Sequence, residues 1–433
     1  MRVVFIFQRI VHYWLLAPIV DAALAHGWSA ECWHDTSYSR KGIKAYQYPE
    51  LAKAPQFFNG RPTFVTYEGS AQFGERIRER RPDVIVSKQS PQGCCRCLLP
   101  DERPTWVTVQ HAIDTFLTYT PSDLLSSDVV AIYSEWWINW AARHFAEEGQ
   151  VDDRTEFERV FARKARPVGF PALDVAARID PLEVRRRWGI PNDQPVVVLL
   201  PFPQGFGKGA FWPSMICTEP SRLQRAINVF AYRRFDYWSH IWHDCNDVSV
   251  VKALRAFCDR NGAYLLVKSR KKTPIPDYTR AVADKCLYDE QYYPATILEA
   301  LSIANVCFNF YSGAVMEAIA LGVPNVCITF SADDYNGRNR LLLSRHKRFF
   351  TSQEGGLFRF TGVSTAITIA EAIETLPRRS LESFAMDPAA RQRYIDKYLS
   401  LADSRSAERL VDEIEHAVAS PGVGADVVPK LPA

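Results

Sequence analysis

Short, almost wholly apolar runs recur along this chain, each separated from the next by a helix-length segment. Val3–Phe7, Val84–Ser87, Trp106–Val109 and Val129–Tyr133 fall in the first half. Val196–Leu200, Tyr264–Lys268, Val306–Phe310 and Asn325–Thr329 fall in the second. Helical patterns fill the gaps: Tyr13–Ala25 (closed by Gly27), Ala71–Arg81, Trp136–Glu148, Ser249–Asn261, Pro294–Ile303 and Ala314–Leu321. A strand with no polar face must be covered on both sides, so the alternation predicts an α/β protein built on parallel sheets.

At 433 residues the chain exceeds one ordinary core and predicts two similar α/β halves with a cleft between them. The break falls at Pro167-Val-Gly-Phe-Pro171, a charged helix Leu182–Trp188 and Gly189-Ile-Pro191, after which the strand pattern restarts. The expected division is 1–170, a linker over 171–192, a second domain over 193–385, helices over 386–420 and a frayed tail over 421–433. Residues Ala389–Ala419 read as helical throughout. The segment Gly205–Val248 is long for an α/β loop, and its five Trp and Tyr residues argue against disorder.

The formal charge, 52 − 49 = +3, gives no bias toward nucleic acid, so any anion site must be a local arrangement. The ten cysteines mostly sit singly inside apolar runs, which is the usage of reduced buried thiols. No apolar stretch approaches bilayer length, and the opening run is too short for a secretory signal. The expected compartment is the cytoplasm, with the inner face of the membrane as a place of peripheral contact.

The segment Phe310-Tyr-Ser-Gly-Ala-Val-Met-Glu-Ala-Ile-Ala-Leu-Gly-Val-Pro324 carries the strongest chemical signal. A strand ends there, Ser312-Gly313 turn into a helix, and the amides of a helix start attract phosphate oxygens. Gly313 permits close approach, Ser312 caps or donates, and Glu317 accepts from ribose hydroxyls. The same residues also suit an ordinary capped helix with a surface Glu. Ser312-Gly313, Glu317-Ala318, Leu321-Gly322 and Pro324 resemble the donor-site signature of GT-B glycosyltransferases. More narrowly, they resemble the branch of CDP-glycerol glycerophosphotransferases, capsule-assembly transferases and UDP-N-acetylglucosamine 2-epimerases. The joint Pro167–Asp174, Tyr293-Pro294 and Ser404–Leu410 are similar to segments of that branch. The resemblance implies two Rossmann-like domains facing across a cleft, the second binding a nucleotide-activated donor.

Lys268 and Arg270 end the run Leu265-Leu-Val-Lys-Ser-Arg, where ligands of open α/β sheets bind. A cation there neutralises charge on a leaving diphosphate; a solvated basic loop is the alternative. Gly207 and Lys208, in Gly205-Phe-Gly-Lys-Gly209, are phosphate-loop candidates or a mobile entry to the insertion. In the first half, Gln110-His111-Ala112 resembles a Gln-His-Gly of the same branch, with Ala112 departing from it. His111 suits accepting a proton from an attacking hydroxyl, and Asp114 either orients it or serves as the base. Gln8, Arg9 and His12 follow the first strand, a position for acceptor or phosphate contacts.

Cys94-Cys-Arg-Cys97, the His240–Cys245 stretch and Asp333-Asp334 lack a complete metal-ligand pattern, so neither a metal nor a cofactor is expected. The leading expectation is a glycosyltransferase moving a sugar from a nucleotide-diphosphate donor to a glycan or lipid-linked acceptor in surface-polysaccharide assembly. Glycerophosphate transfer from a CDP-activated donor, 2-epimerisation and a non-catalytic scaffold are the alternatives.

Overall fold

A computed structural model of the chain describes every residue except 39–49, 95–97, 99–101, 113, 202–245, 271–274, 289–290, 330–352 and 420–433. The chain divides into two units, Met1–Ala177 with Ile395–Ala433, and Arg178–Tyr394. Each is built on one parallel sheet, as the apolar runs predict.

The first sheet holds β1 (Arg2–Phe7), β2 (Ser29–Asp35), β3 (Thr63–Tyr67), β4 (Val84–Ser87), β5 (Thr105–Val109), β6 (Val129–Ile132) and β7 (Ala165–Pro167). Their order is β3-β2-β1-β4-β5-β6-β7. The second holds β8 (Val196–Leu200), β9 (Tyr264–Lys268), β10 (Lys285–Leu287), β11 (Val306–Asn309), β12 (Asn325–Thr329) and β13 (Ser364–Thr368), ordered β10-β9-β8-β11-β12-β13. Both sheets share the doubly wound pattern in which the order reverses beside the first strand, and the crevice at the strand C-termini there is where ligands bind. The reversal lies between β1 and β4 in one unit and between β8 and β11 in the other.

Strand β8 shows why continuous apolar sequence is needed. Val197 and Leu199 join one buried cluster, while Val196, Val198 and Leu200 join another. Helices therefore cover both faces, and each of the five side chains leaves water.

The strand β2 carries polar residues into the core, where hydrogen-bond partners make them tolerable. The Trp33 indole donates to the Glu31 carboxylate at 2.9 Å, and the Tyr13 hydroxyl lies 2.5 Å from Nε2 of His34. Free cysteines at 32, 94, 258, 307 and 327 are buried and Cys286 is half-buried. Among the described residues no helix is long and apolar enough to cross a membrane.

The stretch expected to be helical over 389–419 is broken into Pro388–Tyr398 and Ser406–Ala419. Ser400 and Ser404 between them take left-handed backbone, φ 64° and 59°, which ends one helix and re-aims the next. The second helix packs on the first unit. Its Ser406 and Ala407 amides donate to Asp174 at 3.1 and 2.6 Å, and Arg409 Nε donates to the Val168 carbonyl at 2.8 Å. Gly169 lies in this contact with φ 93°, and a Cβ there would sit 2.5 Å from Ser406 Oγ. Glycine is thus required for the close approach as well as for the backbone angle.

Candidate functional site

In the second unit the predicted residues gather at the C-terminal edge of β9, β8 and β11. Lys268 is the last residue of β9 and is only 7% exposed, whereas Arg270 lies two residues on and is exposed. The turn Ser312-Gly313 follows β11, and Glu317 lies in the helix Val315–Ala320. Glu317 is 3% exposed, so it is not the surface carboxylate of the capped-helix alternative. Its Oε2 is buried with no hydrogen-bond partner. Burial pushes its carboxyl up to about 7, against the pull of its own backbone amide and the charges of Arg270 and Lys268. Near neutral pH it exists in both forms, able to accept or to donate a hydrogen bond.

The turn itself is held differently from the sequence expectation. Ser312 N–H donates to the Asn309 side-chain oxygen at 3.0 Å, and Ala314 N–H to Ser312 Oγ at 3.3 Å. Val315 and Met316 amides donate to the carbonyls of Ser312 and Gly313, both at 3.2 Å. The helix-start amides are therefore largely taken, and the helix has only six residues, which weakens its dipole. Among the described residues the Gly313 N–H has no protein acceptor, so it is the backbone donor the turn offers. Tyr311, with φ 53°, sets the chain direction into that turn.

Asn309 was not identified from the sequence, yet it organises the site. Its amide bonds Asn325, whose Nδ2 donates to Ser364 Oγ at 2.8 Å, which in turn donates to the Phe358 carbonyl at 3.0 Å. This polar ladder crosses β11, β12 and β13 in the core and fixes the strand end from which the turn departs. A lone polar residue inside Val306-Cys-Phe-Asn-Phe310 is the signal that would have found it.

In the first unit, His111 follows β5 and is half-buried, and Asp114 opens the helix Asp114–Thr118. The departure at Ala112 has a structural consequence: the residue takes φ 49°, the left-handed region that a glycine enters freely. Neighbours enforce it. Ala112 N–H donates to the Tyr133 hydroxyl at 3.0 Å, Gln110 Nε2 to the Ala112 carbonyl at 3.1 Å, and Tyr133 N–H to Gln110 Oε1 at 2.8 Å. His111 N–H donates to Thr115 Oγ1 at 2.7 Å, and the imidazole packs edge-on against Trp14 with centroids 5.6 Å apart.

His12 joins this edge, 4% exposed and held well below the usual imidazole range by burial, then by the charges of Lys88, His111 and Arg9. Lys88, at the end of β4, had no sequence signal of its own. Gly207, Lys208, His240–Cys245 and Asp333-Asp334 lie outside the described residues. Among the described residues no group of three or more His, Cys, Asp or Glu is placed to hold a metal.

No protein-family profile matches this sequence, and no curated protein sequence matches it. Solved structures do. The wall teichoic acid polymerase TagF is 10% identical, covering 97% of this chain and 89% of that one, with a TM-score of 0.55. A candidate UDP-N-acetylglucosamine 2-epimerase from Listeria monocytogenes is 11% identical over 99% of both chains, with a TM-score of 0.54. The chain has the GT-B fold. Identity this low carries the fold and not the reaction. Within the GT-B frame, both residue groups occupy the strand-end edges where such sheets bind ligands: Lys268, Arg270, Ser312, Gly313 and Glu317 on one, His111 and Asp114 on the other.

Proposed function

We propose that this chain is a glycosyltransferase that moves a sugar from a nucleotide-diphosphate donor to a hydroxyl of a glycan or lipid-linked acceptor in surface-polysaccharide assembly. The observation that carries the reading is Glu317: a buried carboxyl with an unpartnered oxygen, in the helix after the Ser312-Gly313 turn and within the influence of the Arg270 and Lys268 charges. A buried acid without a partner is costly unless something completes it, and ribose hydroxyls are of the right chemistry. Lys268, Arg270, the Gly313 amide and the Ser312 hydroxyl then face the diphosphate and take up the charge that grows as it leaves. In this reading cationic side chains do that work, and no metal or cofactor is assigned to it.

On the first unit, His111 receives the acceptor's hydroxyl proton as the oxygen bonds to the sugar's anomeric carbon and the bond to the diphosphate breaks. Asp114 is the second candidate for that proton. A fold neighbour of 11% identity, TagF soaked with CDPG, has a TM-score of 0.52 and supports a nucleotide-activated donor in general terms. The site of action proposed is the cytoplasm or the inner membrane face.

Thermal unfolding of the full chain with UDP, CDP, GDP and CMP tests the reading. A ligand at 100 times its Kd adds about 2.7 kcal/mol of stability. At least one nucleoside diphosphate should stabilise the chain, and Glu317→Ala should bind it roughly tenfold more weakly or worse. Unchanged affinity in Glu317→Ala sinks the site assignment.

A further inference from the structure

His111 is held at both of its ends, and the two holds meet at one residue. At the side-chain end, the imidazole packs edge-on against the Trp14 indole with centroids 5.6 Å apart. The indole in turn stands edge-on to the Phe170 ring, with centroids 5.4 Å apart and planes at 80°. At the backbone end, the next residue, Ala112, is kept at φ 49° in part by its N–H, which donates to the Tyr133 hydroxyl at 3.0 Å. The Tyr133 ring stacks on Phe170, with centroids 4.3 Å apart and planes 25° from parallel. The series His111, Trp14, Phe170, Tyr133, Ala112 therefore closes on itself through one peptide bond.

Three features stiffen this circuit. Trp14 Nε1 is buried with no hydrogen-bond partner, so packing against neighbouring rings sets the angle of the indole. Aromatic rings favour the edge-on and offset-stacked arrangements found at its three ring contacts. Phe170 is wholly buried, and its backbone is fixed from outside the circuit. Its carbonyl accepts from Leu173 N–H at 3.0 Å, in the 3-10 turn Pro171–Leu173 that packs on the helix carrying Trp14. The two residues before it, Val168 and Gly169, lie against the helix Ser406–Ala419.

We propose that Phe170 is a positioning residue for His111, acting through Trp14 on the imidazole and through Tyr133 on the backbone beside it. A phenyl ring has no group that can move a proton, so its part is geometric. A proton acceptor must stand within hydrogen-bond reach of the hydroxyl it serves, and a misplacement of about 1 Å costs on the order of 100-fold in rate. Phe170 keeps both ends of His111 from making that excursion. His111 owes the role of proton acceptor to the transfer proposed above, whereas the circuit stands on contacts within the first unit.

Proton–carbon NMR of the full chain, labelled in histidine, reads the imidazoles one by one, the His111 line being identified by its loss in His111→Gln. Phe170→Leu keeps an apolar side chain in the buried place and removes the ring against which both neighbours pack. Tyr133→Phe keeps the stacked ring and removes only the hydroxyl that holds Ala112. In each variant the His111 line should move or split, while the lines of His26, His144 and His416 keep their wild-type positions. A His111 line unchanged in either folded variant overturns the proposal. So does an equal displacement of all four lines, which marks a general loosening. Should Phe170→Leu not fold, Tyr133→Phe decides alone, because it loses a single oxygen and keeps every ring. A wild-type chain that binds neither UDP nor CDP, with the His111 displacement present in the variants, would lose the transfer reading and keep the circuit.

Discussion

The two strand-end edges of this molecule occupy equivalent places in equivalent sheets, yet they solve opposite electrostatic problems. In the second unit an acid is buried beside two cations and keeps its proton up to about pH 7. In the first a base, His12, is buried near Lys88, His111 and Arg9 and is kept neutral. The architecture fixes only where ligands approach. Which ligand is welcome depends on what burial does to the charge each side chain would otherwise carry. The edges also differ in how their turns are held. Asn309 fixes the second through a polar ladder spanning three strands, whereas the first relies on Gln110 and Tyr133 clamping a strained alanine.

The largest effect that sharpens this contrast is a pH dependence. Because burial raises Glu317 above its ordinary 4.5 to about 7, the folded state prefers the proton more than the unfolded state does. Its contribution is therefore whole below about pH 4.5 and is lost as pH rises through about 7, a total of about 3 kcal/mol. Glu317→Gln keeps the neutral shape and should remove that slope, so urea unfolding should find it more stable than wild type at pH 8 and nearly equal at pH 4.5. An equal slope in both proteins would place Glu317 in a wetter setting than the structure shows.

Next in size is the ladder. Asn309→Ala strands the Ser312 amide and the Asn325 side chain and should cost about 2 kcal/mol in chemical denaturation, with weaker nucleotide binding beyond that loss. A stability loss with full nucleotide affinity would show that the turn keeps its shape unaided. The smallest effect belongs to the first edge. Ala112→Gly relieves left-handed strain of about 1–2 kcal/mol, offset by about 0.5–1 kcal/mol of added chain entropy, for a gain of up to about 1.5 kcal/mol. A loss instead would mean that the clamp favours the alanine methyl itself.

How much was legible in the sequence follows strand by strand from burial. β1, β4, β5 and β6, and likewise β8, β9, β11 and β12, stand together in the interiors of their sheets and announce themselves as apolar runs. The strands not anticipated lie outward: β2, β3 and β7 in one sheet, β10 and β13 in the other. An edge strand such as β13, Ser-Thr-Ala-Ile-Thr, keeps part of its length in water and needs no apolar run. β2 is hidden by Glu31, His34 and Asp35; distant partners make the first two tolerable, Arg2 and Arg80 beside Glu31 and Tyr13 at His34. The same reasoning holds for the sites. Lys268, Ser312, Gly313, Glu317 and His111 sit just past interior strands, so local pattern reached them. Lys88 matters through which strand neighbours which, and no local window contains that order; Asn309 shows locally only as a lone polar residue in an apolar run, while its partners lie on other strands. Gly207 and Lys208 fall outside the described residues and gain no support from the structure.

The contact of Asp174, Gly169 and Val168 with the helix Ser406–Ala419 bears on the order in which the protein can be made. The second unit is one continuous stretch, Arg178–Tyr394, and has all its parts once the ribosome has passed them. The first unit is interrupted. Its sheet emerges early but must wait, its helix-binding surface uncovered, for more than half of the chain to be synthesised. The unit that comes first in sequence is therefore the last to be finished.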